Sequence, residues 1–169
     1  MTLSMHSASV PVFVRQLGAI LNWLDKAEAH ATAKKFETSV LLQARLAPDM
    51  LPFIAQIRIA SDAAKGCVAR LAGVEPPKFE DNETSFEELR QRVRKTIDYV
   101  NSVPADAIDG SEGREIVLPM RNRDPLSFNG EFFLKHWALP NFMFHVTMTY
   151  ALLRHNGVDI GKRDFLNVA

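Results

Sequence analysis

Among the polar side chains in the most apolar stretch of the chain, residues 132–165, three could take part in chemistry. They are His136, Asn141 and His145, and the last two are four residues apart, so they share one face of a helix. A helix that is apolar on nearly every side must be buried in a core or in a subunit contact. Burying an amide and an imidazole costs free energy unless each finds a partner. We therefore predict that this helix holds the site, as either a polar network or a set of ligands.

Composition narrows the class of protein. The 169 residues suit one domain with a substantial core, and 47% hydrophobic with 24% charged residues is typical of neither a disordered chain nor a membrane protein. Twenty basic and twenty acidic residues cancel, so the positive footprint of a nucleic-acid-binding protein is absent. Cys67 is the single cysteine, which excludes an internal disulfide. With no secretion signal and no bilayer-spanning run, we expect a soluble cytoplasmic protein without a membrane partner.

Helices must supply the framework that positions the three polar residues. Apolar residues recur at three- and four-residue steps over residues 8–30 and 48–71, which predicts two long helices. Pro48 and Asp49 suit the first turn of the second helix, where a proline needs no amide partner and a carboxylate faces the positive end of the dipole. Gly73 is expected to end it. The connection over residues 34–47 is expected to contain one short turn.

A third helix is predicted to begin at Thr84–Glu87, which matches the capping-box pattern. Its basic cluster Arg90–Lys95, like the pair Arg121 and Arg123, is interpreted as a mostly solvated face. Before the last helix the period changes, because Glu115–Leu118 and Pro125–Phe128 alternate like short strands. We predict a small hairpin there.

The last helix is expected to be one long element. Asn129 is predicted to cap it, Pro140 to kink it and Gly157 to end it, with a polar tail beyond. Four long helices joined by short connections predict an all-α fold, a four-helix bundle with a small extended or hairpin insertion before the last helix. We expect residues 1–169 to form a single domain.

Three segments of the chain carry a resemblance to a known family. They are HSASVPVFVRQL, LAPDMLPF and the closing HWALPNFMFHV, LLRHNG and GKRDF. Together they resemble a bacterial domain-of-unknown-function family (nineteen ninety-three in that series), which is similar to the DinB-like superfamily of damage-inducible and thiol-transferase proteins. The resemblance implies a four-helix bundle, often a dimer, and in many members a metal held by three histidines.

The three-histidine pattern of that superfamily is only partly present. It has one histidine on the second helix and two on the last helix, four residues apart. Here His145, followed by Arg154 and Gly157, matches the end of the pattern, and Asn141 stands where the other histidine would fall. On the second helix the nearest polar candidate is Asp49, and Gln56 is the next.

Two interpretations of this set stay open. Asp49, Asn141 and His145 would hold a divalent cation such as Zn, Ni, Mn or Fe, with an open position that acidifies a bound water. Alternatively they form a satisfied polar network that sets the helix register. His136 is expected outside the ligand set, at a pocket mouth or in an interface.

Two functions follow from these interpretations. The first is a non-enzymatic bundle with a degenerate metal site that binds a small molecule or a partner. The second is a metal-dependent enzyme of thiol-transferase or hydrolase type, acting on a small molecule. We also expect a homodimer, because the large apolar residues of the last helix cannot all face one core. Those residues are Phe132, Phe133, Trp137, Phe142, Phe144 and Met148.

Overall fold

The computed structural model describes residues 3–120 and 122–168, so Arg121 of the second basic cluster lies outside them. Four long helices dominate: α1 (Val10–Lys34), α3 (Phe53–Ala72), α4 (Phe86–Ser102) and α7 (Leu139–His155). The connections hold α2 (Ser39–Leu42), α5 (Ala105–Ile108), α6 (Gly130–Phe132), a π-helix (Phe133–Ala138) and α8 (Lys162–Leu166). An antiparallel hairpin joins β1 (Glu115–Met120) to β2 (Arg123–Asn129). The prediction of a mainly helical chain with a small hairpin before the last helix is confirmed.

The long helices surround one shared core. α3 packs against α7 and α4, and α1 packs against α4 and α7, so the order around the core is α1, α4, α3, α7. The largest fully buried side chains come from all four of these helices and include Trp23, Phe13, Phe53, Phe86 and Phe142. Phe13 and Phe142 meet edge to face at 4.9 Å between ring centroids, which fixes α7 against α1. Within the described residues, no helix is both long enough and apolar enough to cross a bilayer.

The second long helix begins later than predicted. α3 starts at Phe53, with Pro52 in extended conformation at its N-cap, so Pro48 and Asp49 lie in the turn that precedes it. The reason is the second proline, which disfavours helical conformation in Leu51 and lacks the N–H that a continuing helix needs. At the other end the prediction is confirmed, because Gly73 closes α3 in the left-handed region at φ 75°.

The cap of α4 is displaced by one residue from the predicted position. Ser85 is the N-cap, and its hydroxyl accepts a hydrogen bond from the N–H of Glu88 at 3.2 Å. The Glu88 carboxylate in turn accepts from the N–H of Thr84 at 2.6 Å. The side chain three residues after Ser85 is a glutamate, so this one-residue shift still satisfies the donors at the helix start.

The prediction that the basic cluster of α4 faces water is wrong for Arg90 and Arg92. The Arg92 side chain is only 2% exposed, and carboxylates of Asp62, Asp81 and Glu83 lie 2.8–2.9 Å from its guanidinium. A buried guanidinium is tolerated because α3 and the loop before α4 supply these partners. Arg92 therefore ties that loop to α3 and α4.

The last helix is interrupted where a kink was predicted. Asn129 caps the segment as predicted, and its side-chain oxygen accepts from the N–H of Phe132 at 2.8 Å. A π-helix follows, in which the N–H of Leu139 donates to the carbonyl of Leu134, five residues back. Pro140 then stands in the first turn of α7, directly after the π-helix, and its missing N–H interrupts the backbone hydrogen bonds at this junction. Gly157 follows the end of α7 at φ 87°, and the polar tail folds into α8.

Candidate functional site

A buried hydrogen bond joins α7 to α3. The Nδ1 atom of His145 lies 2.8 Å from Oε1 of Gln56, and the two residues are 8% and 2% exposed. An amide oxygen only accepts hydrogen bonds, so this pairing places the imidazole proton on Nδ1. The other ring nitrogen, Nε2, is then the acceptor of the neutral imidazole.

The start of α3 positions Gln56. Its Nε2 donates to the carbonyl of Leu51 at 3.1 Å, a carbonyl that precedes the helix and has no partner within it. On α7, the hydroxyl of Thr149 donates to the carbonyl of His145 at 2.8 Å. The result is a short polar chain that begins at the carbonyl of the exposed Leu51 and continues through the buried side chains of Gln56, His145 and Thr149.

Burial determines the charge of the imidazole. The pKa of His145 is lowered from its ordinary value because burial penalises the protonated form. Phe144 lies edge-on to the imidazole at 5.2 Å between ring centroids, and this phenylalanine is 56% exposed. The site is therefore a neutral histidine beneath the surface of α7, with an exposed aromatic ring beside it.

The other predicted site residues lie elsewhere. Asp49 is exposed in the turn before α3, and Asn141 is exposed at the start of α7. His136 is exposed on the π-helix, with its ring 4.7 Å from that of Phe132. The structure thus joins His145 to Gln56, the second polar candidate that the sequence offered on this helix. A signal for it was present, because Gln56 falls within the apolar stripe of α3, where a polar residue needs a buried partner.

These donors do not fit a divalent metal. The nearest side-chain partner of His145 is a neutral amide, and both polar atoms of that amide are already hydrogen-bonded. Buried cation sites are ordinarily built from several imidazoles, carboxylates or thiolates. Across residues 3–120 and 122–168, no group of three or more histidine, cysteine, aspartate or glutamate side chains is arranged to hold a metal ion.

A cleft of about 220 Å³ opens between α3, β1 and the π-helix, and Asn141 lies on its rim. Its walls are mostly apolar, and its polar lining consists of Asp62, Arg70 and Asn141 with the thiol of Cys67. Cys67 is 1% exposed, and burial raises the pKa of its thiol, so the thiolate that attacks electrophiles is disfavoured there.

Comparison with known proteins agrees with this architecture. The family model described as "Domain of unknown function (DUF1993)" matches residues 5–166. The chain belongs to this family. The DUF1993 chain is also similar to a DinB family member protein from Shewanella denitrificans, known from its crystal structure. The two share 37% sequence identity and superpose with a TM-score of 0.87, over 97% of this chain and 92% of that one. No curated protein matches the DUF1993 chain.

Proposed function

We propose that this chain is a single-domain DinB-like four-helix bundle that binds its target without a metal. The observation that carries the proposal is the bond between His145 and Gln56. In the resembled superfamily many members hold a metal with histidines at the corresponding helices. Here Asn141 stands where one of the two histidines of the last helix would fall, and on the second helix it is Gln56 that bonds Nδ1 of His145. The polar pair then fixes the register of α3 against α7.

We also propose that the bundle is a homodimer, formed through the outer face of α7. Between Pro140 and Ala151 this helix carries no charged residue, and its outward side chains include Phe144, Thr147 and Met148. An isologous contact places a patch against its own copy, so an uncharged patch avoids like-charge repulsion. Exposure of Phe144 at 56% supports this assignment, because large apolar residues are enriched at the centre of interfaces.

One observation favours a second function, a metal-dependent enzyme of thiol-transferase or hydrolase type. A histidine that ligates a metal through one nitrogen usually donates the N–H of the other to an oxygen. His145 has this arrangement, because Gln56 holds Nδ1 and leaves Nε2 as the acceptor. The enzyme hypothesis requires further donors that converge on Nε2 of His145.

Elemental analysis of tag-free protein separates the two functions. We expect less than about 0.1 equivalent of Zn, Ni, Mn or Fe, with no difference between wild type and His145→Ala. Near-stoichiometric metal in the wild type that is lost in His145→Ala would refute the metal-free proposal.

Light scattering tests the dimer. We expect twice the monomer mass for the wild type and the monomer mass for Phe144→Glu, since a glutamate pair in an isologous contact repels. Val117→Glu is the matched control, because Val117 is similarly exposed, at 50%, on the hairpin. A monomeric wild type at micromolar concentration would contradict the proposed dimer.

A further inference from the structure

The cleft beside the π-helix contains a cation that no carboxylate contacts directly, although Glu75 acts on it from a greater distance. Arg70 is partly buried on α3 and lines the cleft. Among the described residues, no carboxylate oxygen lies within 4.0 Å of its guanidinium, in contrast to Arg90 and Arg92 on α4, each of which has several. Burial of an unpaired charge is unfavourable, and burial accordingly lowers the pKa of Arg70.

The position of this guanidinium is set by a glycine. Nη1 of Arg70 donates to the carbonyl of Gly66 at 2.9 Å, so the side chain folds back along its own helix. A Cβ atom at Gly66 would stand 2.5 Å from Nη1, closer than any real contact. Glycine inside a helix lowers helix stability, and here it gives the guanidinium room to lie against α3. The edge formed by Nε and Nη2 makes no hydrogen bond with the described residues and is free for a ligand.

The one carboxylate that lines the cleft is already neutralised. Asp62 lies 2.9 Å from the guanidinium of Arg92 and 3.0 Å from the ammonium of Lys65. Asp62 is therefore paired with Arg92 and Lys65 and not with Arg70, so it does not make the cleft acidic. An anion that enters the cleft meets Arg70 as the cation that no carboxylate of the cleft lining contacts.

The rest of the cleft is apolar and partly aromatic. α3 contributes Ile59 and Ala63, β1 contributes Leu118 and Met120, and the π-helix contributes Phe133, Trp137 and Ala138. π-helical turns occur frequently at functional sites. A cavity of about 150 Å³ accommodates benzene, so the 220 Å³ measured here suits one ring with a short substituent.

We propose that this cleft binds a small monocarboxylate with an apolar, ring-sized body. The carboxylate pairs with the Nε and Nη2 edge of Arg70, the geometry in which arginine recognises carboxylates. The body packs against Trp137 and Phe133, and the Asn141 amide on the rim is placed to bond a substituent. This site goes beyond the proposed function, and it does not depend on whether His145 holds a metal.

Calorimetric titration with phenylacetate and with the neutral phenylacetamide tests the proposal on the full chain. We expect phenylacetate to bind the wild type, and to bind Arg70→Gln at least about tenfold more weakly. We expect phenylacetamide to bind the wild type about tenfold more weakly than phenylacetate does. Arg94→Gln is the matched control, because Arg94 is an exposed arginine on α4, and its affinity should equal that of the wild type.

Gly66→Ala keeps the charge but moves the guanidinium, and alanine favours the helix, so this variant tests the site even if Arg70→Gln folds poorly. We expect it to lose affinity for phenylacetate while its thermal unfolding midpoint is maintained or raised. The proposal is overturned if benzoate, phenylacetate and 3-phenylpropionate all fail to bind at about 10 mM. Equal affinity for acid and amide, or undiminished binding by Arg70→Gln or Gly66→Ala, would overturn it as well.

Discussion

Removing both partners of the Gln56–His145 bond should cost less free energy of unfolding than the sum of the costs of removing each alone. In Gln56→Met the buried imidazole keeps its Nδ1 proton but loses the acceptor at 2.8 Å. An unsatisfied buried donor costs about 1–3 kcal/mol in free energy of unfolding. The Leu51 carbonyl also loses its donor. Because Leu51 is exposed and precedes α3, a water molecule can replace that hydrogen bond. We therefore expect a total loss of about 1–3 kcal/mol.

The reverse change, His145→Phe, leaves the Gln56 oxygen unsatisfied and should cost a similar amount. In Gln56→Met/His145→Phe both polar groups are gone, and two apolar side chains face each other in a mainly apolar core. The double variant should then be less destabilised than the sum of the single variants, with a coupling energy of about 1–2 kcal/mol.

Urea unfolding followed by circular dichroism at pH 7.5 measures all four proteins of this cycle. Gln43→Met is the matched control, because Gln43 is exposed beyond α2, and its stability should stay within about 0.5 kcal/mol of the wild type. If the two single changes add without coupling, His145 and Gln56 do not form a buried bond, and both the network and the register argument built on it fail.

Three further outcomes are expected from the same unfolding measurements. Because the pKa of His145 is lowered in the folded protein, a fall in pH protonates this imidazole in the unfolded chain before it does so in the folded one. The contribution of His145 is thus complete above pH of about 6.5 and is lost as pH falls toward the folded pKa, and His145→Phe should lack this component in a pH series. Arg92→Leu should cost about 1–3 kcal/mol, because the buried Glu83 keeps only Arg58 while the exposed Asp62 and Asp81 return to water, and it should open the preceding loop to proteolysis, whereas Arg94→Leu should be nearly neutral. Gly130→Ala should cost about 1–3 kcal/mol or more, because its Cβ would meet a backbone oxygen at 1.9 Å. Gly113→Ala has open space and should be unaffected.

Periodicity predicted the helices well, because burial on one side leaves a regular trace in the sequence. The stripe through Phe53, Ile57, Ala60 and Ala64 lies in the core as expected. The first residue of this helix was harder to predict, since Pro48 and Pro52 are each acceptable near a first helical turn. Only the fold, which uses Pro52 as the N-cap, distinguishes them.

Partners across the fold could not be predicted in the same way. His145 was recognised because a polar residue in an apolar helix needs a partner. Its partner is 89 residues away in the sequence, and the identity of that partner depends on how α3 and α7 are shifted along their axes. Arg92 shows the same limit, since its neighbours on α4 suggest a solvated face. Its burial depends on carboxylates supplied by α3 and by a loop. Which side chains are buried in pairs is a property of the assembled helices.

The π-helix has an angular consequence for the whole last segment. A π-turn takes up about one residue more than an α-turn, and each residue of an α-helix turns the chain by about 100°. Residues before Leu139 are thereby rotated relative to α7, and in this phase Phe133 and Leu134 point inward at 2% and 0% exposure. Deleting one residue from 133–138 would restore a regular helix but turn these two side chains away from the core. The number of residues in this segment is therefore constrained, because each one sets the rotation of the preceding chain about the helix axis. A deletion that would be harmless in a loop would here misalign the hairpin and the cleft with α7.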